Sequence, residues 1–215
     1  MDLRVGLLTP PIQKASVAPL CNFISILSQF SDLYLFCGEN SRDMIEKCNN
    51  AHLHPTFIKV TIEQNALIKI ILFLYVQVIY GIYVLKSVSK IDVWIFVIGG
   101  DRMFLPMMII RLFNKPVILS LSGSAIFDAQ LSNDPFLKLV ETLSKFTNTV
   151  SNFIILYSPN LIKFWQLERY RDKVLIAHRH LLDFNTFTVT TPLPDRPPLI
   201  GYIGRLSGEK GVQHF

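Results

Sequence analysis

The sequence predicts an α/β fold built on a doubly wound, mostly parallel sheet. Short apolar runs rich in β-forming residues alternate with segments whose apolar residues recur at helical spacing. Glycine, serine and proline cluster directly after several of these runs, as they do in turns between strands and helices. Half of the 215 residues are hydrophobic, which is enough for a sizeable core. Strands that alternate with helices are connected by crossovers, so we expect them to be parallel.

Seven strands are predicted, each from an apolar run that ends at turn residues. They lie at 4–8, 33–37, 56–61, 92–98, 116–121, 153–157 and 173–177. Helices are predicted between them at 17–30, 41–49, 66–85, 104–113, 135–148 and from 158 to about 167. Ser41 is the expected N-cap of the second helix, because a hydroxyl can accept from the first free backbone N–H groups.

Small and polar residues follow the predicted strands, and ligands of doubly wound sheets lie beyond the carboxyl ends of the strands. The candidate binding residues in these loops are Thr9, Ser16, Gly100, Asp101, Ser122, Gly123 and Ser158. Asp101 is either a general base or the N-cap of the helix that follows it. Ordinary turns between strands and helices use the same residue types, so both interpretations of the loops remain open.

Composition and charge exclude several classes of function. The net charge is +5 and the basic excess lies in the second half, where it forms either a surface for anionic membranes and phosphorylated ligands or a solvated mixed-charge face. No nucleic-acid-binding pattern is present, so no nucleic-acid partner is predicted. His178 and His180 lack a second cluster to complete a ligand set, and no metal site is predicted.

Three widely spaced cysteines, Cys21, Cys37 and Cys48, include no CxxC pair. This spacing is typical of a reducing compartment, and no signal peptide is visible at the start of the sequence. We therefore expect a cytoplasmic protein.

The segment 66–85 is apolar on all sides and carries one charge, Lys69. Its length would allow it to cross a bilayer. A crossing would, however, divide the strands of one sheet between two sides of a membrane. We expect this helix to be buried or to lie on a membrane surface, with peripheral attachment at the cytoplasmic face that high salt or mild detergent weakens.

A proline-rich stretch separates two parts of the chain. The predicted organisation is a Rossmann-like domain at 1–189, a linker at 190–198 that prolines hold extended, and the start of a second domain at 199–215. The last part, "LIGYIGRLSGEKGVQHF", reads as a strand over 199–204, a turn at Gly204 and the beginning of a helix. Arg205 and Lys210 flank this turn, where phosphate oxygens could bind. The alternative is a surface loop whose charges face water.

The whole chain resembles the amino-terminal part of a family 4 glycosyltransferase with the two-domain GT-B fold. "LIGYIGRLSGEKGV" resembles the signature that opens the donor-binding domain of that family. "KPVILSLSG", "NFIILYSPNLIKFW" and "KVLIAHRHLLDFNTF" resemble three further blocks, in the same order.

The resemblance implies an enzyme that transfers a sugar from a nucleotide-sugar donor to a hydroxyl acceptor, a glycan or lipid-linked glycan, with retention at the anomeric carbon. Gly204, Arg205 and Lys210 match the residues that bind the donor diphosphate. The two cations would make a metal cofactor unnecessary, so no cofactor is expected besides the donor substrate. The loop residues beyond the strands would form the acceptor side.

The chain departs from the family pattern at several positions. Ser122 stands where the family often has a catalytic His, so no catalytic residue is assigned. Ala15-Ser16 replaces the usual glycine pair of the first loop, and the Glu-rich donor motif does not occur before the last residue. We therefore expect a truncated form that is inactive alone. The alternatives are a non-catalytic membrane-associated binding protein and a GT-B sugar-nucleotide epimerase.

Overall fold

A seven-stranded parallel sheet forms the centre of the computed structural model, which describes residues 3–12, 16–46, 52–60, 66–177, 188, 190–199 and 201–202. The strands are β1 (Leu3–Leu8), β2 (Ser31–Gly38), β3 (Leu53–Ile58), β4 (Val93–Val97), β5 (Val117–Ser120), β6 (Phe153–Leu156) and β7 (Val174–Ile176). Their order is β3-β2-β1-β4-β5-β6-β7, and every pair is parallel. The chain reverses its winding between β1 and β4, which confirms the predicted doubly wound sheet.

Seven α-helices occur in the described residues. They are α1 (Val17–Leu27), α2 (Arg42–Glu46), α3 (Ala66–Ser87), α4 (Phe104–Leu112), α5 (Ala125–Leu131), α6 (Leu137–Val150) and α7 (Asn160–Phe164). Short 3₁₀ turns lie at Glu39–Ser41, Gly100–Arg102, Glu168–Lys173 and Leu193–Asp195. Helix α5 was not predicted, because its seven residues fall between a turn and a longer helix.

Two apolar clusters cover the two faces of the sheet, because alternate strand residues point to opposite faces. On β4, Ile95 and Val97 pack with α1 and α2 in one cluster. Trp94 and Phe96 pack in the other cluster, which also receives residues of α3, α4 and α7. The sheet is therefore buried on both sides along β1 and β4, whose carboxyl ends lead into the candidate binding loops.

Two local predictions were wrong. Ser41 does not cap a helix: it ends the 3₁₀ turn, and its buried Oγ has no hydrogen-bond partner. The third strand begins at Leu53, three residues before the predicted start. His54 and Pro55 hid this beginning, but β3 is an edge strand, and a proline is tolerated there because one side of the strand needs no partner.

Helix α3 packs on the sheet through one side. The Tyr80 hydroxyl donates to the Thr9 carbonyl oxygen at 2.9 Å. The Gln77 side chain donates to the Arg102 carbonyl at 3.0 Å and accepts from the Leu105 N–H at 3.1 Å. By length and composition the helix could cross a membrane, with a mean hydropathy of 1.8 over Ile70–Ser87, of which 28% is buried. Its attachment between β3 and β4 of one sheet argues against a crossing.

The chain divides into two units, residues 1–179 and 180–215. In the second unit, the segment 190–198 contains a 3₁₀ turn at Leu193–Asp195, where a fully extended linker was predicted. Proline fixes φ near the value that such a turn also uses, so both conformations are compatible with the sequence. Residues 199, 201 and 202 have no regular secondary structure, although a strand was predicted from residue 199. The domain boundaries at 189 and 198 stay predictions.

Candidate functional site

The carboxyl ends of all seven strands lie at one edge of the sheet, because every strand pair is parallel. The loops after β1, β4, β5 and β6 therefore lie along the same edge, and they contain six of the seven candidate residues predicted there. Ser16, the seventh, lies at the start of α1 and makes no side-chain hydrogen bond to cap it.

Thr9 connects the end of β1 to its neighbours. The residue is fully buried, and its Oγ1 makes hydrogen bonds to the carbonyl oxygens of Pro10 at 3.1 Å and Ile98 at 3.3 Å. Its N–H donates to the Phe36 carbonyl at 3.0 Å. Thr9 therefore stabilises the edge of the sheet and is not available to a ligand.

The turn after β4 has strained backbone. Ile98 has φ of 41° and Gly99 has φ of 83°. A left-handed conformation is unusual for a β-branched residue, and such strain often occurs at functional sites. At Gly100 an added Cβ would lie 2.7 Å from the Cβ of Phe96, so only glycine fits. This turn directs the following residue, Asp101, towards the interior.

Asp101 is a buried carboxyl group, 7% exposed. Burial raises its pKa, and Asp128 adds to this effect. Arg102 and two backbone N–H groups, one of them from Ala125, act in the opposite direction. The Asp101 carboxyl group therefore lies near the start of α5. The predicted N-cap role is wrong, because the N-cap of the following helix, α4, is Met103 and no side chain caps it. The Thr147 hydroxyl fixes the Asp101 backbone by donating to its carbonyl oxygen at 2.7 Å.

Asp101 lines a small pocket of about 20 Å³, enough for one water-sized group, whose lining combines apolar side chains with a few polar ones. The remaining lining residues are Leu121, Gly123, Ser124, Ala125, Ile126, Ser144, Asn148, Trp165 and Leu167. Ser144 Oγ and Asn148 Oδ1 are buried and have no hydrogen-bond partner. Unpaired buried polar atoms are costly, so a ligand group or a water at this position would satisfy them. We call this site the Asp101 pocket.

Sequence reasoning missed Ser144 and Asn148. Both lie on the buried side of α6, where Val140 and Thr147 are also buried. Two polar residues spaced i, i+4 on the core side of an amphipathic helix were the available signal. Trp165 was also missed, because an aromatic residue near the end of a helix usually belongs to the hydrophobic core.

The other predicted residues lie in different surroundings. Ser122 is exposed, and it does not line the Asp101 pocket; Gly123 is exposed and does. Ser158 is half-buried near an open groove of about 720 Å³ that runs along α7. Gly204, Arg205 and Lys210 lie outside the described residues, as do His178 and His180. Within the described ranges, no group of three or more His, Cys, Asp or Glu residues could hold a metal ion.

Solved structures share this fold at low sequence identity. A UDP-N-acetylglucosamine 2-epimerase from Rickettsia bellii is 15% identical with a TM-score of 0.55, and the match covers 81% of this chain and 44% of that one. The glycotransferase of kitacinnamycin is 8% identical with a TM-score of 0.56, covering 89% and 55%. Anabaena Alr3699/HepE, solved in complex with UDP and glucose, is 12% identical with a TM-score of 0.54, covering 84% and 45%.

These similarities show that the chain has a Rossmann-like α/β fold of the kind found in GT-B proteins. The chain spans about half the length of the structures it matches. No protein-family model matches the sequence, and no curated protein does.

Proposed function

We propose that residues 1–189 are the acceptor-side domain of a retaining, family 4 glycosyltransferase and that residues 199–215 are the beginning of its donor-binding domain. The enzyme transfers a sugar from a nucleotide-sugar donor to a hydroxyl group of a glycan or lipid-linked glycan. The observation that carries this proposal is the "LIGYIGRLSGEKG" segment, which follows a GT-B-type sheet and a proline-rich stretch in sequence.

Arg205 and Lys210 would stabilise the donor diphosphate. As the bond between the anomeric carbon and the diphosphate breaks, negative charge develops on the leaving nucleoside diphosphate, and fixed cations lower the energy of that state. Gly204 would permit close approach of the backbone. We propose that these cations replace a metal cofactor.

The Asp101 pocket would bind one hydroxyl group of the acceptor. Asn148 Oδ1 can accept from a hydroxyl and Ser144 Oγ can donate to it, and neither atom has a partner of its own. The pocket admits one small polar group, so it would orient the acceptor without enclosing it. We also propose a cytoplasmic location and peripheral membrane contact.

A GT-B sugar-nucleotide epimerase is the second candidate, favoured because a UDP-N-acetylglucosamine 2-epimerase is among the matching structures. Product analysis separates the two. A transferase releases nucleoside diphosphate and forms a glycosidic bond, whereas an epimerase changes the configuration of the sugar within the donor. A protein that binds but does neither would be the non-catalytic binding protein.

The test uses residues 1–215 joined to a complete donor-binding domain. A charge-assisted hydrogen bond is worth about 1.5–3 kcal/mol, so Lys210→Ala should lower the transfer rate roughly 10- to 100-fold. Arg205→Lys should also lower it, because the planar fork is lost although the charge remains. Lys138→Ala on the exposed side of α6 is the matched control.

Calorimetric titration with a panel of nucleotide sugars measures binding alongside turnover. The 215-residue chain should bind them poorly, since most of the donor pocket belongs to the second domain. Tight binding by the short chain would contradict the proposal, as would unchanged turnover in Lys210→Ala.

A further inference from the structure

The outward side of α3 is an apolar strip. Ile68, Ile71, Leu74, Tyr75, Val78, Ile82 and Leu85 are each between 40% and 65% exposed. Steps of three and four residues place them on one face of the helix. From Ile68 to Leu85 the strip extends roughly 25 Å at 1.5 Å per residue. We call these seven residues the α3 strip.

The strip cannot turn inward. Val76, Tyr80 and Val84 are buried against the sheet on the opposite side of the helix. The hydrogen bonds of Gln77 and Tyr80 hold the helix at a fixed rotation about its axis. A rotation that buried the strip would expose those apolar residues and break the hydrogen bonds, so the strip is a permanent surface feature. Exposed apolar patches of this kind mark interaction sites.

All charged residues of α3 and of the neighbouring α4 are basic. Lys69 and Lys86 lie on α3 and Arg111 on α4, and neither helix contains Asp or Glu. Lys90 and Lys115 follow the two helices directly. Both helices lead back to the start of a parallel strand, so their carboxyl ends lie at the same edge of the sheet. Leu112 and Phe113 are exposed at that edge.

We propose that the α3 strip docks this protein onto the surface of an anionic lipid bilayer. The apolar side chains would enter the interface between headgroups and acyl chains, and the basic residues would contact the lipid phosphates. A second copy of the chain is a poorer occupant. Two α3 helices would bring together segments whose only charged residues are lysines, with no acidic residue on either to neutralise them.

The docking surface rests on the peripheral membrane contact of the proposed function and specifies where it occurs, but it does not depend on sugar transfer, and the 215-residue chain is sufficient to test it. The measurement is co-sedimentation with vesicles of phosphatidylglycerol and phosphatidylcholine, compared with phosphatidylcholine alone. We expect binding to the anionic vesicles that high salt weakens. The double variant Ile71→Gln/Val78→Gln should bind at least about tenfold more weakly, because it removes apolar area from the middle of the strip.

The matched control is Phe30→Gln/Leu131→Gln, which removes two apolar side chains of comparable or greater exposure outside α3 and α4. It should bind as the original chain does. A second variant, Lys86→Glu/Lys90→Glu, leaves the apolar strip intact and should weaken binding to anionic vesicles by about fivefold or more for each charge. This variant keeps the test decisive if the first one does not fold.

Three outcomes would overturn the proposal. The first is no binding of the original chain to anionic vesicles. The second is an equal loss of binding in the strip variant and its control. The third is a dimer in analytical ultracentrifugation that the strip variant dissociates, without any vesicle binding, which would identify a second copy as the occupant.

Discussion

Helices α3 and α6 lie on either side of α4, and each contains buried polar side chains. The two helices differ in whether these side chains have hydrogen-bond partners. On α3, Gln77 and Tyr80 have hydrogen-bond partners in the neighbouring loops. On α6, Ser144 Oγ and Asn148 Oδ1 have none. The partnered groups attach a helix to the sheet, whereas the unpartnered groups line a pocket. Ser41 Oγ and Trp94 Nε1 also lack partners but line no pocket described above, so it is the combination of a missing partner with a pocket that marks Ser144 and Asn148 as candidate functional residues.

The exposed faces of the two helices differ in polarity. The outward side of α6 carries Lys138 and Lys145 beside two exposed apolar residues, Leu139 and Phe146, a mixture expected of a helix that faces water. The outward side of α3, the α3 strip, is apolar throughout. Helix α3 buries one apolar side against the sheet and exposes a second apolar side to the surroundings. This second apolar side is the physical reason for assigning its surface to a lipid interface.

The largest change in stability is expected for Gln77→Leu. The substitution keeps the size of the side chain but leaves the Arg102 carbonyl and the Leu105 N–H without partners in a buried region. The free energy of unfolding should fall by about 2–3 kcal/mol. Urea denaturation measures this, with Gln130→Leu on the exposed side of α5 as control. Equal effects of the two substitutions would contradict an anchoring role for Gln77.

A smaller effect is expected for Tyr80→Phe, which removes one hydroxyl and its hydrogen bond to Thr9. The apolar ring stays in the core, so the free energy of unfolding should fall by about 1 kcal/mol. Thermal unfolding provides the measurement. A variant as stable as the original chain would show that this hydrogen bond does not stabilise α3 against the sheet.

Asp101→Asn should have an effect that depends on pH. The pKa of Asp101 is raised in the folded state, so its contribution to stability is present below the pKa of the unfolded chain and is lost as pH rises through the folded value. The original chain should therefore lose stability relative to the variant as pH rises from about 4. Urea denaturation at several pH values measures the difference, and parallel curves would show that Asp101 is not responsible.

The smallest change in stability is expected for Ser144→Ala. The substitution also removes one buried hydroxyl, but no hydrogen bond is lost, so stability should change by less than about 0.5 kcal/mol. Both variants remove one buried hydroxyl group, but only the Tyr80 hydroxyl has a hydrogen-bond partner. The difference between their changes in unfolding free energy therefore measures the contribution of that hydrogen bond. In the completed enzyme the same variant should weaken acceptor binding, measured as a rise in KM for the acceptor. A strong loss of stability would mean that the Ser144 hydroxyl is structural.

Much of the fold could be predicted because it is encoded locally. In β1, β2 and β4 to β7, each apolar run is followed within a few positions by turn residues. The predicted bounds of these strands match the observed bounds within two residues. The edge strand β3 and the short helix α5 were the exceptions, since Pro55 and a seven-residue length weaken local signals.

The sequence by itself determined the alternation of strands and helices, the carboxyl-edge position of the loops and the apolar character of α3. Only the tertiary structure decided which side of α3 faces outward, since a helix that is apolar all round has no preferred face. It also decided that Asp101 meets the start of α5, and that Tyr80 meets Thr9 across 71 positions of sequence. Such contacts depend on strand order and crossover geometry, which local residue patterns do not encode.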